Sequence, residues 1–181
     1  FDLVQCVLDE LMEEQDMAFV LLGTGNAEYE DFMRSAEWRH KGRLCAYIGY
    51  DEALSHRVYA GSDFLLMPSS FEPCGLSQMI AMRYGTLPIV RETGGLRDSV
   101  QPYNRFTGEG TGFSFANFNA YELAETVRRA LALYHNEHDA YLRVQRQAMA
   151  QDFSFTRSAE DYAHLYLLLL PEDTAPKHDA G

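Results

Sequence analysis

The stretch Asp63-Phe-Leu-Leu-Met-Pro68, followed by Ser69-Ser-Phe-Glu-Pro-Cys-Gly75, Leu76-Ser-Gln-Met-Ile-Ala-Met-Arg-Tyr84 and Gly85-Thr-Leu-Pro-Ile-Val90, decides the fold. Asp63 to Met67 is apolar after its first residue and is stopped by Pro68, so it reads as a buried strand. A loop from Ser69 to Gly75 leads into a helix from about Leu76 to Tyr84. Gly85 is placed as the C-terminal stop of that helix. Thr86 to Val90 is a second apolar strand. Strands that are apolar throughout, joined by a helix, belong to a parallel sheet covered on both faces.

The same alternation extends outward on both sides. Upstream, Met17 to Leu22 is a buried strand closed by Gly23-Thr24-Gly25-Asn26, and residues 27–38 form a polar helix. Arg43 to Ile48 is the next strand, and Asp51 can cap a helix running to about Gly61. Downstream, Gly112 to Phe115 is a short fifth strand, reached through a loop at 101–110. The pattern predicts an α/β fold with a doubly wound parallel sheet and C-terminal helices. The chain opens on Leu3, Val4, Val7, Leu8, Leu11 and Met12, the spacing of an amphipathic helix with only Phe1 and Asp2 ahead of it.

Residues 119–170 read as helical only. Asn119 with Glu122 resembles a capping box. Ala120, Leu123, Ala124, Val127, Ala130, Leu131 and Tyr134 share one face. In the last helix Phe155, Ala159, Tyr162, Ala163, Tyr166, Leu169 and Leu170 form a stripe. Leu165, Leu167 and Leu168 fall off it, so the final turns are apolar all round. Such turns call for burial on more than one side, within this domain or against an absent partner. One domain over residues 1–170 and a flexible polar tail over 171–181 are expected.

Composition narrows the functional classes. The chain has 181 residues, of which 46% are hydrophobic, as in a folded globule. Its net charge of −12, without a Lys/Arg-rich stripe, argues against nucleic acid and against anionic membranes as partners. The residues after Phe1 show no basic, apolar and small-residue pattern of a secretory signal, so none is expected. The longest strictly apolar run, Leu165 to Leu170, is far short of the roughly 20 residues needed to span a bilayer. Cys6, Cys45 and Cys74 have neither metal-ligand nor disulfide-framework spacing, so a reduced, cytoplasmic setting is expected.

Open parallel sheets bind ligands beyond the carboxyl ends of their strands. Four loops meet that condition: 23–26, 49–51, 68–75 and 91–96. The third is the most loaded. The N–H groups of Gly75, Leu76 and Ser77 would point out of a helix N-terminus, a site suited to phosphate. Glu72 just ahead would repel phosphate, so it suits sugar hydroxyls or a developing positive charge, or else it only caps the helix. Gly23-Thr24-Gly25 lacks the third glycine of a dinucleotide fingerprint and reads as a tight turn. Tyr50, directly after a strand, either stacks on a base or is a half-buried loop aromatic. Gly94-Gly95 is a second phosphate-approaching turn or a tight connection. The six histidines lack partner spacing and read as structural or surface residues.

Residues 63–100, from Asp63 through Glu72-Pro73-Cys74-Gly75-Leu76-Ser77 to Gly94-Gly95-Leu96-Arg97-Asp98-Ser99-Val100, resemble the hallmark of bacterial glycogen synthases and plant starch synthases. Ile48-Gly49-Tyr50, Ser55-His56-Arg57 and Val144 to Ser154 support the resemblance, which covers Phe1 to about Leu170. Related retaining glycosyltransferases carry a second glutamate eight positions after the first. Ile80 stands there, as in the glycogen and starch synthase branch.

The resemblance implies the Rossmann-like C-terminal domain of a two-domain (GT-B) retaining glucosyltransferase. The donor would be ADP-glucose, the product ADP, and the acceptor the non-reducing end of an α-1,4-glucan, with no metal and no cofactor. It gives Glu72 the donor glucose and the oxocarbenium-like transition state. Cys74, Gly75 and Leu76, through their backbone, and Ser77, through its hydroxyl, would hold glucose hydroxyls and the diphosphate. Gly49 and Tyr50 would hold the adenine.

By the same resemblance, an Arg and a Lys that neutralise the diphosphate, and an N-terminal acceptor domain on which the last helix packs, lie ahead of Phe1. The chain is thus expected to be an isolated donor domain, inactive alone. A phosphorylase would need a Schiff-base lysine, and only Lys41 and Lys177 are present. The incomplete glycine fingerprint counts against a dinucleotide oxidoreductase. A nucleotide- or glucan-binding module without enzyme activity is the remaining alternative.

Overall fold

Each of the five apolar runs forms a strand, and every ladder is parallel. The structure is a computed structural model and describes residues 1–169; the tail expected over 171–181 lies outside the described residues. Strand β1 (Phe19–Gly23) pairs with β2 (Leu44–Ile48), with Phe19 opposite Leu44. Strand β3 (Phe64–Met67) pairs with β4 (Leu87–Arg91), which pairs with β5 (Phe113–Phe115). The strands therefore lie in two parallel ladders, β1-β2 and β3-β4-β5, where one sheet was expected. The cause is local to β1 and β3, each of which has a neighbour on one side only.

Residues Phe1–Ala150 form one compact unit. Its helices are α1 (Asp2–Glu14), α2 (Ala27–Arg39), α3 (Glu52–Gly61), α4 (Ser77–Tyr84), α5 (Gly94–Ser99), α6 (Ala120–Asn136) and α7 (His138–Met149). Helix α6 packs on β4, β5 and α1, whereas α4 packs on β3, β4, α3 and α7. Strand β4 is the centre of the core, with Leu87, Pro88, Ile89 and Val90 all buried. Phe64, Phe113, Tyr134 and Tyr141 form an edge-to-face cluster with Phe64 5.6–6.2 Å from the other three rings. The Tyr141 hydroxyl donates to the Asp63 carbonyl at 3.3 Å, and burial pushes its pKa up.

The helix signals in the sequence act as expected. Asp51 caps α3 by accepting from the Leu54 N–H at 2.8 Å. Asn119 caps α6 by accepting from the Glu122 N–H at 2.8 Å. Glu122 then reaches back to the N–H groups of Asn117 (2.9 Å) and Ala116 (3.1 Å) rather than to that of Asn119. Hydrogen bonds from Asn117, first its side chain and then its backbone, hold the Glu122 carboxyl below its usual range. Gly85 ends α4 in the left-handed conformation, with φ at 84°. Buried Val4, Val7, Leu8 and Leu11 confirm the opening amphipathic helix, which has no side-chain cap. Arg128 of α6 ties it down through Glu14 (2.7 Å) and Glu10.

Beyond Ala150, helix α8 (Phe155–Leu169) belongs to a second unit and is described by itself. None of its residues is buried, and Leu165, Leu167, Leu168 and Leu169 are exposed. Among the described residues no helix is long and apolar enough to cross a membrane.

Candidate functional site

The candidate site is built at the carboxyl end of β3. Pro68 turns the chain out of the strand, and the loop from Ser69 to Leu76 carries it into α4. Two backbone devices fix the loop. Gly75 sits at φ +71°, and a Cβ there would lie 2.5 Å from Oε1 of Gln78, so the turn requires glycine. The Gly95 N–H donates to the carbonyls of Glu72 (3.1 Å) and Pro73 (3.2 Å). The contact is close: Cβ atoms at Gly94 and Gly95 would each fall 2.1 Å from a carbonyl oxygen, those of Glu72 and Cys74. Gly94-Gly95 is thus a tight connection that clamps the loop backbone.

Helix α4 begins at Ser77 with Leu76 at the N-cap position and no side-chain cap hydrogen bond. The first-turn N–H groups keep their partial positive charge facing the loop. Glu72 therefore does not cap the helix. It is half-buried, and among the described residues its carboxylate has no hydrogen bond or ion pair. Cys74 and Leu76 are exposed, and Gly75 and Ser77 are half-buried. The five residues expected to act on sugar and diphosphate thus stand on one loop and one helix start.

Gly49 and Tyr50 follow β2. The Gly49 N–H donates to the Gly23 carbonyl at 3.0 Å, which ties the carboxyl ends of β1 and β2 together. A Cβ at Gly49 would meet the Tyr47 ring at 2.9 Å. Tyr50 is 87% exposed, so it is not the half-buried aromatic that composition allowed. Its ring face is open at the edge where a base could lie. Gly25 in the neighbouring loop donates its N–H to Glu30 Oε1 at 3.1 Å and has nothing within 4 Å of a Cβ position, as in an ordinary turn.

Two residues escaped the sequence reading. Gln78 is fully buried under the loop, and its Nε2 donates to the carbonyls of Gly75 (2.9 Å) and Cys74 (3.1 Å) and to Ser99 Oγ (3.0 Å). Arg91, at the end of β4, donates to the carbonyls of Ser70 (2.8 Å) and Ser69 (3.3 Å), and its guanidinium lies 5.6 Å from the Phe118 ring centre. Both hold the loop from below. The signals were a polar residue on the inward face of a short helix and a cation directly after an apolar strand.

Four of the histidines have structural partners: His56 meets the Tyr84 hydroxyl at 3.0 Å, His40 meets Asp9 at 2.6 Å, and His135 and His138 meet the backbone carbonyls of Asp16 (3.1 Å) and Tyr134 (3.2 Å). Among the described residues no group of three His, Cys, Asp or Glu is placed to hold a metal ion. All three cysteines are free and exposed.

A family model described as glycosyl transferases group 1 matches residues 2–148. A glycogen synthase from Bacillus licheniformis is 52% identical over 166 residues, which are 92% of this chain and 34% of that protein. One from Geobacillus stearothermophilus is 51% identical over 172 residues, 95% of this chain and 35% of that protein. The chain spans about a third of the length of the curated relatives it matches. Among solved structures, the catalytic domain of starch synthase IV from Arabidopsis thaliana, bound to ADP and acarbose, aligns with a TM-score of 0.81 and 36% identity. That alignment covers 92% of this chain and 35% of the other. The sucrose-phosphate synthase from Thermosynechococcus elongatus shares the fold at a TM-score of 0.63 and 22% identity, over 92% of this chain and 42% of that one.

Proposed function

Because the chain belongs to the group 1 glycosyl transferases, we propose that it is the donor-binding C-terminal domain of a cytoplasmic glycogen (starch) synthase. The whole enzyme would move glucose from ADP-glucose to the non-reducing end of an α-1,4-glucan with retention of configuration. The observation that carries this proposal is the uncapped N-terminus of α4 opening beside the unpaired carboxylate of Glu72.

The chemistry follows from that pairing. The bond between the anomeric carbon and the diphosphate oxygen breaks, and its electron pair leaves with ADP. Negative charge grows on the diphosphate, where the first-turn N–H groups of α4, the backbone of Cys74, Gly75 and Leu76, and the Ser77 hydroxyl stabilise it. Positive charge grows on the glucosyl ring, and Glu72 lies ahead of the helix to face it. A glucan hydroxyl then bonds to the same carbon on the face that the diphosphate leaves, and its proton passes to the departing diphosphate oxygen of ADP. Tyr50 stacks on the adenine above Gly49. The proposed scheme uses neither metal nor cofactor, and the helix N-terminus supplies the stabilisation of the leaving diphosphate from this chain.

The solved starch synthase IV relative, 36% identical, is a complex with ADP, which supports an ADP-based donor. The glucan acceptor and further diphosphate-binding cations belong to the rest of the longer protein, so the chain alone is expected to be inactive. The test is Glu72→Ala in the full-length enzyme, assayed for glucose transfer from ADP-glucose to glycogen. Turnover should fall by orders of magnitude with the melting temperature unchanged. Turnover within a few-fold of wild type would remove Glu72 from this role.

A further inference from the structure

Three donors beneath the loop from Ser69 to Gly75 take almost every carbonyl it has. Arg91 takes those of Ser69 and Ser70, the Gly95 N–H takes those of Glu72 and Pro73, and Nε2 of Gln78 takes those of Cys74 and Gly75. Phe71 alone contributes no carbonyl to this set. Among the described residues every peptide bond is trans. In a planar trans peptide the carbonyl of one residue and the N–H of the next point in opposite directions. Each carbonyl drawn inward therefore turns the following N–H outward.

The inward carbonyls of Pro73, Cys74 and Gly75 turn out the N–H groups of Cys74, Gly75 and Leu76. None of these three N–H groups donates a hydrogen bond among the described residues. We propose that Gln78 is a positioning residue for the transfer: its buried amide aims the N–H groups of Gly75 and Leu76 at the diphosphate of the donor. This role rests on the donor-site reading given above and adds to it the side chain that orients the backbone.

The neighbours of Gln78 fix which way its amide lies. Nε2 faces three oxygens, the Gly75 carbonyl (2.9 Å), the Cys74 carbonyl (3.1 Å) and Ser99 Oγ (3.0 Å). The Ser99 hydroxyl already donates to the Gly95 carbonyl, so it accepts from Gln78. All three are acceptors, and only the nitrogen end of an amide can meet them. The other end, Oε1, is buried without a partner. A buried acceptor left unpaired costs stability, and an apolar side chain of the same shape would not carry that cost. What explains an amide at this position is the pair of loop carbonyls that its nitrogen holds.

The backbone on either side of Leu76 is shaped to match. Gly75 is left-handed at φ +71°, and Leu76 is right-handed at φ −108° and ψ −29°. Successive N–H groups in such a turn converge on a concavity that suits an anion. Nε2 has two hydrogens for its three acceptors. Without Ser99 Oγ, one hydrogen would remain for each loop carbonyl, so the aim of the two N–H groups depends on Gln78 and not on Ser99.

The experiment measures, in the full-length enzyme, inhibition of glucose transfer by ADP and by adenosine, which lacks the diphosphate. Gln78→Met keeps the shape of the side chain and removes both donors. Its inhibition constant for ADP should rise at least about ten-fold, the loss expected for one hydrogen bond to a charged group. The constant for adenosine should stay within about two-fold, because Gly49 and Tyr50 are untouched. Ser99→Ala should leave both constants within about two-fold. An unchanged ADP constant in Gln78→Met would overturn the proposal. So would a parallel weakening of adenosine, or Ser99→Ala matching Gln78→Met, since either would mean a general loosening of the site.

Amide hydrogen exchange of the wild-type enzyme tests the same point without a variant that must fold. The N–H groups of Gly75 and Leu76 should exchange fast without ADP and about ten-fold or more slower with it. Slow exchange before ADP is added would overturn the outward aim. An ADP that neither inhibits nor protects the wild-type enzyme would overturn the donor-site reading, and this role with it.

Discussion

Replacing Gly95 by Ala tests how the loop bearing Glu72 is held, without touching any group placed in the chemistry. The Gly95 N–H donates to the Glu72 and Pro73 carbonyls, and a Cβ would sit 2.1 Å from the Cys74 carbonyl oxygen. Ordinary contact begins at 3.4 Å, so that carbonyl must retreat by about 1.3 Å. The obstacle is backbone, which cannot swing aside as a flexible side chain would. A misplacement of about 1 Å costs roughly 100-fold in rate when a reacting geometry depends on it, equivalent to about 2.7 kcal/mol of barrier. The stability cost should be about 1–3 kcal/mol, the usual range for overpacking.

The assay is steady-state glucose transfer from ADP-glucose to glycogen by the full-length enzyme, with urea unfolding alongside. Gly25→Ala is the control, because nothing lies within 4 Å of its Cβ position on the same rim. The expected result is a kcat about 100-fold lower for Gly95→Ala and within a few-fold of wild type for Gly25→Ala. A Gly95→Ala enzyme with kcat within three-fold of wild type, at a dose of urea where it is fully folded, would refute the clamp.

Other consequences can be measured on the same protein. Tyr50→Ala should weaken ADP binding by about 1–3 kcal/mol in calorimetry, with the melting temperature unchanged because the ring is exposed. Asn119→Ala removes the cap of α6 and should cost about 1 kcal/mol in urea unfolding. Partial burial alone would raise the Asp9 pKa, but hydrogen bonds from His40 and Arg39 outweigh it and hold the carboxyl below its usual range. Asp9 thus contributes stability above its unfolded pKa of about 3.9, and that contribution is lost as pH falls through the lower folded value. Melting curves of wild type and Asp9→Asn should therefore differ by a constant amount above about pH 5 and converge toward pH 3.

Much of the architecture was legible in the residues because it rests on short-range signals. The apolar runs at 19–22, 44–48, 64–67 and 87–90 became strands, and Asp51, Asn119 and Gly85 bound the helices they were expected to bound. The position of the loop from Ser69 to Ser77 was legible for the same reason, since a strand–loop–helix order places it at a carboxyl edge. Glu72 was identified as a candidate but not its state. A carboxylate ahead of a helix can cap it or stand clear, and only the coordinates of α4 show that no side chain caps it.

The sequence by itself determined the element order, the parallel sense of the strands and the candidate loop, because periodicity, caps and turn residues act within a few positions of one another. Only the tertiary structure decided that Gly94-Gly95 grips the backbone of Glu72 to Cys74, that Gln78 and Arg91 hold the loop from below, and that β1 and β3 face each other across a gap. Apart from the bonds of Gln78 to Cys74 and Gly75, which span four and three residues, those facts are contacts between segments some 20 to 45 residues apart, and they depend on which edges and faces meet, a property that no local pattern encodes.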